Sequence, residues 1–158
     1  TGAGAAMGFA AGLFSFIVWT FMPPNPVTAF VFTPTAAPGN FWSLVICFVP
    51  RILTGVVASL MFKLLSRLLD GKKGATGVIY AVSGVLGSLT NTLLVMGGIY
   101  VFFGKSYATA MDISFNLLLG IIGTTILTNG VLEAIVGGLV ACGVCIPMKK
   151  MMRRTLPL

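Results

Sequence analysis

The side chains best suited to chemistry are a few polar residues that interrupt long apolar stretches. Arg51 directly follows Pro50 inside the second stretch, and Asn91 lies inside the third. Glu133 lies inside the last stretch, four residues after Asn129, so both project from one helical face. An arginine well inside a membrane span costs on the order of 3 kcal/mol on insertion scales, which makes it a functional candidate that needs a partner. The pattern predicts a polar site within an apolar protein.

These residue types favour binding of a small molecule over catalysis or metal binding. Arginine suits a carboxylate, and asparagine suits amides or hydroxyls. The sequence has no histidine, three cysteines and three acidic residues, so we expect no metal site, no cofactor and no acid–base catalyst. Residues 98–106 end in Gly-Lys-Ser, but their spacing does not fit a phosphate-binding loop. Cys142 and Cys145 have redox-pair spacing inside an apolar helix, where packing is the favoured role.

The elements that must position the polar residues are transmembrane helices. The 158 residues are 57% hydrophobic and only 8% charged, which is more apolar than a soluble domain requires. A helical span takes about 20 apolar residues. The sequence therefore predicts one all-α integral membrane domain over residues 1–158. Its expected spans are about 2–22, 42–69, 74–103 and 130–149, with an outer loop at 23–41 and an outer or re-entrant segment at 105–129.

The positive charge predicts the orientation of these spans. The formal net charge is +7, and the basic residues cluster at helix ends instead of covering one face, so nucleic-acid binding is not expected. One cluster surrounds the turn after residue 69 and another closes the C-terminus, which the positive-inside rule places in the cytoplasm. We expect a multi-pass protein of the cell membrane with both ends inside. Loop 23–41 has five prolines and several aromatic residues, so it forms either a lid or part of an interfacial aromatic belt, and the belt is favoured.

Depth along the helices brings the polar residues together. Arg51, Asn91 and Glu133 each lie about sixteen residues, or roughly 24 Å, from the predicted cytoplasmic end of their own helix. Three helices with polar groups at one level would form a pocket that opens to the outside. The alternative is an internal Arg51–Glu133 ion pair, with the asparagines as hydrogen-bonding links between helices. The expected substrate-binding residues are Arg51, Asn91, Asn129, Glu133, Thr90 and Trp42.

The first span carries small residues at helical intervals, with Gly2, Ala6 and Ala10 on one row and Gly4, Gly8 and Gly12 on the next. Small residues let helices approach closely in lipid. Packing within the chain and docking on a partner are equally consistent with this pattern. The candidate partner-contact residues are Gly4, Ala6, Gly8, Ala10 and Gly12.

Three runs of the sequence carry a resemblance to known proteins. They are Phe-Trp-Ser at 41–43 leading to Val-Pro-Arg-Ile-Leu at 49–53, Gly-Ser-Leu-Thr-Asn-Thr at 87–92 with Gly-Gly-Ile-Tyr at 97–100, and Thr-Asn-Gly at 128–130 with Glu133. These runs resemble the substrate-binding S components of energy-coupling factor (ECF) vitamin transporters. The resemblance implies a bundle of six helices, of which four are recognised here. It also implies a pocket near the outer side, a transmembrane T component as partner, and two cytoplasmic ATPase subunits that drive toppling of the S component. The chain itself is then not an enzyme.

The resemblance is greatest to the pantothenate branch. Pantothenate offers a carboxylate, an amide and two hydroxyls to Arg51, Asn91 and Asn129. Pyridoxine, hydroxymethylpyrimidine and riboflavin are alternative substrates of the same transporter class. From other classes, a self-sufficient channel or secondary transporter and a purely structural membrane subunit remain open.

Overall fold

The computed structural model describes residues 1–69 and 75–155, and these residues form helices joined by short connections, with no strand among them. Four stretches of this part are long and apolar enough to cross a membrane, namely Gly2–Phe21, Phe41–Leu68, Ala75–Ala110 and Phe115–Met151. This confirms the predicted all-α membrane fold. The elements are α1 (Gly2–Phe21), a 3₁₀ helix (Pro26–Val31), α2 (Phe41–Leu68), α3 (Ala75–Ala110), α4 (Phe115–Thr125), a π-helix (Ile126–Gly130) and α5 (Val131–Thr155).

The helix boundaries follow local chemistry. The Asn40 side chain accepts a hydrogen bond from Trp42 N at 2.9 Å, and Ser43 Oγ accepts one from Asn40 N at 3.1 Å. This reciprocal cap satisfies donors that the first turn of α2 would otherwise leave unpaired. Asp112 has a positive φ of 53° in the tight turn between α3 and α4.

The third helix is longer than the sequence predicted. It was expected to end near Gly104, but α3 continues to Ala110. Gly104 is buried, and a Cβ added there would lie 2.9 Å from the ring of Phe115 and 3.5 Å from Leu118 on α4. A glycine here permits close helix packing and does not end the helix. The predicted outer or re-entrant segment 105–129 comprises the end of α3, the turn, α4 and most of the π-helix, which leads directly into α5. Its placement relative to the membrane stays a prediction.

The helices pack through glycine crossings. A Cβ added at Gly55 would collide with the backbone of Gly4, so α1 and α2 meet backbone to backbone. A Cβ at Gly84 would likewise collide with the backbone of Gly137, where α3 crosses α5. Small residues are the usual device for helix association in lipid, where apolar burial gives no drive. As a result, α2 and α3 form the centre, with α1 beside α2 and α5 beside α3.

The connection between α1 and α2 folds inward and builds a core. Phe30, Val31 and Phe32 are buried in one cluster with apolar residues of α2 and α3, namely Ile46, Val95, Ile99 and Phe103. Ser43 Oγ donates to Phe30 O at 2.6 Å, and Thr20 and Thr33 join their hydroxyls at 3.0 Å. The loop is therefore a packed cap over one end of the helices, and its placement at the membrane interface stays a prediction. We call residues 26–33 the cap.

Candidate ligand-binding site

Arg51 lies beneath the cap, about one turn of α2 beyond the buried Cys47. Its Nη1 donates to Ile46 O at 2.9 Å, and its guanidinium carbon lies 5.2 Å from the centroid of the Phe32 ring. The second contact is a cation–π interaction, which attracts the cation to the ring face without neutralising it. The cap and α2 thus hold the charge in place and leave it available for an anion.

An open cleft of about 500 Å³ adjoins Arg51. Residues of α1, α2 and α3 line it: Met7, Gly8, Ala11, Arg51, Thr54, Gly55, Ser88 and Asn91. Small-molecule sites in proteins commonly enclose about 300–1,000 Å³. The glycine crossing creates the shape of this cleft, because a Cβ at Gly8 would collide with the backbone of Arg51. The close approach of α1 brings a third wall to the arginine.

Asn91 supplies the second polar group of the cleft. Its Oδ1 is buried, and no hydrogen-bond partner for it occurs among residues 1–69 and 75–155. A buried acceptor without a donor costs roughly 1–3 kcal/mol, so a ligand that brings an O–H or N–H would recover that loss. Together, Arg51 and Asn91 provide a cation for a carboxylate and an acceptor for a hydroxyl or amide.

Glu133 has a partner other than Arg51. Thr92 Oγ1 lies 2.6 Å from Glu133 Oε2 and donates to it, so the contact joins α3 to α5. Within the described part of the chain, no ion pair forms between Arg51 and Glu133 within 4.0 Å. The structure therefore does not show the internal ion pair considered as an alternative. Its partner Thr92 follows the cleft residue Asn91 on α3, so Glu133 lies close to the site but outside its lining.

The other predicted binding residues are dispersed. Thr90 Oγ1 donates to Leu86 O of its own helix at 2.7 Å. Trp42 stacks on Phe102 with ring centroids 4.1 Å apart, on a surface away from the cleft lining. Asn129 is exposed in the π-helix. The structure brings only Arg51 and Asn91 into one cleft, and the binding role of every residue in the set stays a prediction.

Four residues that lie at or near the site were not among those predicted from the sequence. Thr54 and Ser88 line the cleft, Thr92 holds Glu133, and Phe32 covers Arg51. Hydroxyl residues often bond their own helix, as Thr54 Oγ1 does to Pro50 O at 2.7 Å, so their type alone gives no signal. Phe32 could be found only from the fold of the cap.

The two small-residue rows of α1 have different surroundings. Gly4, Gly8 and Gly12 face α2, and any Cβ there would meet atoms of that helix. The glycine row is therefore already covered by α2 of the same chain. Ala6 and Ala10 are exposed on the neighbouring row, so they remain available for a partner.

One end of the bundle collects basic side chains. Lys63 and Arg67 line an open cleft near the end of α2. Lys149 of α5 reaches the start of α3, with Nζ 3.3 Å from Thr76 Oγ1. Lys72 and Lys73 of the predicted turn cluster lie outside the described residues, as does Asp70. The positive-inside rule assigns clusters of basic residues such as this one to the cytoplasmic side. The placement of this end of the bundle in the cytoplasm stays a prediction.

Comparison with known proteins gives one informative match. No protein-family model matches the chain, and no solved structure matches it. The pantothenic acid transporter PanT of Lactococcus lactis subsp. cremoris strain MG1363 is 32% identical over 143 residues, which span 84% of this chain and 67% of that protein. With the all-α membrane fold, this similarity shows that the chain belongs to the PanT family, the pantothenate-type branch of the S components.

Proposed function

We propose that the protein is the substrate-binding subunit of an ECF-type importer and that it captures pantothenate from outside the cell. The observation that carries the proposal is the pairing of Arg51 with Asn91 in one cleft, where the cation faces no acidic partner within 4.0 Å in the described residues. The similarity to a pantothenic acid transporter supports the same ligand.

The two ends of the ligand match the two polar groups. The guanidinium has five N–H donors and uses one on Ile46 O, so the others can bind a carboxylate. Asn91 Oδ1 can accept from a hydroxyl or the amide N–H of pantothenate. Met7, Ala11 and the backbone at Gly8 offer an apolar wall to the carbon skeleton. A mostly apolar cleft with a few polar groups is typical of small-molecule sites.

Energy for import would come from separate polypeptides. We propose a transmembrane T component and two cytoplasmic ATPase subunits as partners, with ATP hydrolysis driving the subunit to topple in the membrane. The exposed row with Ala6 and Ala10 is the candidate contact with the T component, because the glycine row is already covered by α2. Few charged groups on the lipid-facing surface would keep the cost of toppling low.

The test is titration calorimetry of the complete protein, purified in detergent, with pantothenate, pyridoxine, hydroxymethylpyrimidine, riboflavin and folate. We expect saturable binding of pantothenate only. Arg51→Ala should lower its affinity about 10- to 100-fold, since a hydrogen bond to a charged group contributes roughly 1.5–3 kcal/mol. Arg67→Ala is the matched control, because Arg67 lies on the same helix but outside the cleft.

Other outcomes separate the alternatives. Binding of another vitamin would keep the transporter class and reject the assignment of pantothenate. Binding of none, with uptake into vesicles that lack ATPase subunits, would favour a channel or secondary transporter. Unchanged affinity in Arg51→Ala would reject the role of Arg51 even if pantothenate binds.

A further inference from the structure

The contact between Arg51 and Ile46 O has a cause in the sequence. Each carbonyl of an α-helix normally accepts a hydrogen bond from the N–H four residues later. For Ile46 that position is Pro50, which has no N–H and lies inside α2. The Ile46 carbonyl thus lacks its regular donor, and Arg51 Nη1 donates to it at 2.9 Å. The adjacent proline and arginine act together: one frees the acceptor and the other uses it.

The cap provides a second contact to the guanidinium. Phe32 is only 9% exposed, and its ring stacks on Trp19 with centroids 4.5 Å apart. The same ring lies 5.2 Å from the guanidinium carbon of Arg51. One contact uses an N–H of the guanidinium, and the other places the guanidinium carbon over the Phe32 ring. An arginine side chain otherwise has many rotamers, and ordering it on binding would weaken the affinity for a ligand.

We propose that Pro50 is a positioning residue for ligand recognition. The Ile46 carbonyl that it frees orients the Arg51 guanidinium toward the cleft before the ligand arrives, and this gives the site its preference for a carboxylate over an uncharged group. The part of the inference that concerns selectivity rests on the proposed function. The part that concerns the orientation of Arg51 does not, since it describes the protein without ligand.

Pro50→Ala is the decisive variant. Alanine restores the N–H that pairs with Ile46 O and is a better helix former than proline, so we expect the variant to fold. Arg51 then loses its acceptor and becomes mobile. Pro147→Ala is the matched control, because it removes the other proline that lies inside a described helix, on α5 and outside the cleft lining.

The first measurement uses the ligand-free protein. In ¹⁵N spectra of the complete protein in nanodiscs, we expect distinct Arg51 Nη signals, identified by their loss in Arg51→Lys. They should average to one signal in Pro50→Ala and stay distinct in Pro147→Ala. Identical Arg51 signals in the wild type and Pro50→Ala would overturn the proposal, whichever vitamin binds and even if none does.

The second measurement compares pantothenate with pantothenol, in which an alcohol replaces the carboxylate. Pro50→Ala should weaken pantothenate binding about tenfold, the equivalent of one net hydrogen bond, and leave pantothenol binding unchanged. An equal loss for both ligands would mean a merely structural role for Pro50 and would overturn the proposal. If the wild type binds neither ligand, the proposed function fails. The ¹⁵N spectra then test by themselves whether Pro50 orients Arg51.

Discussion

The capped end and the glycine crossings hold the same helices by opposite means. The cap inserts Phe30, Val31 and Phe32 among helix side chains and so fills volume. At the crossings, α1 meets α2 and α3 meets α5 through backbone atoms, with almost no side chain between them. The cleft lies where one mode gives way to the other: Phe32 covers Arg51 from the cap, and Gly8 contacts its backbone from α1. The site thus depends on both modes, and substitutions can separate them.

Truncation at the capped end should have the largest effect. Phe30 is 2% exposed and packs edge-on against Phe103, with centroids 5.6 Å apart. Phe30→Ala should lower the free energy of unfolding by about 3–5 kcal/mol, because it leaves a cavity as well as lost apolar contact. Thermal unfolding in detergent measures this, with Phe41→Ala as control since Phe41 is 71% exposed. Equal losses in the two variants would mean that the cap does not stabilise the fold by filling volume.

Enlargement of a glycine at a helix crossing should have the second-largest effect on stability. Gly55→Ala places a methyl group against the backbone of Gly4, so α1 must move away from α2, at a cost of about 1–3 kcal/mol. Gly97→Ala is the control, because nothing lies within 4 Å of a Cβ there. We expect that variant to be neutral or more stable, as alanine favours helix by about 1 kcal/mol over glycine. The same thermal unfolding measurement tests this prediction. A Gly55→Ala variant as stable as the wild type would contradict the backbone-to-backbone crossing.

The smallest effect should come from the polar contact between α3 and α5. Thr92→Val keeps the shape of the side chain and removes the donor to Glu133 Oε2, which should cost about 0.6–1.7 kcal/mol. Thr90→Val is matched in type and position, but Thr90 bonds only a carbonyl of its own helix. A greater loss of stability in Thr90→Val would reject the Thr92–Glu133 contact as a link between the two helices.

The lengths of the apolar stretches and the positions of the polar residues along them predicted the general arrangement of the helices. Apolar length predicted four spanning stretches, and the structure has four in its described residues. Residue depth predicted that Arg51 and Asn91 meet, and both line one cleft. These succeed because helix rise is constant, so distance along the sequence converts directly into distance along the axis.

The sequence did not reveal what depends on rotation and loop packing. Asn129 was expected in the pocket because it shares a helical face with Glu133, and in the structure it is exposed in the π-helix. Trp42 lies in one of the runs that carry the family resemblance and was expected in the pocket, and in the structure its ring stacks on Phe102. The prolines of the 23–41 segment predicted a break in the helix and left a lid and an interfacial belt open, but they did not show that the cap residues would be buried. Each of these differences concerns which way a side chain points, which helical length does not determine.

The π-helix between α4 and α5 keeps one buried stripe in phase. Ile122 and Ala134 are both buried, and they are twelve residues apart. Three turns of an α-helix take about 10.8 residues, so an uninterrupted helix would turn these two side chains roughly 120° apart. The π-helix takes up one extra residue and returns them to about the same face. The π-helix thus corrects the rotation of one helical half relative to the other. As a result, α4 and α5 can both direct their buried side chains toward α3.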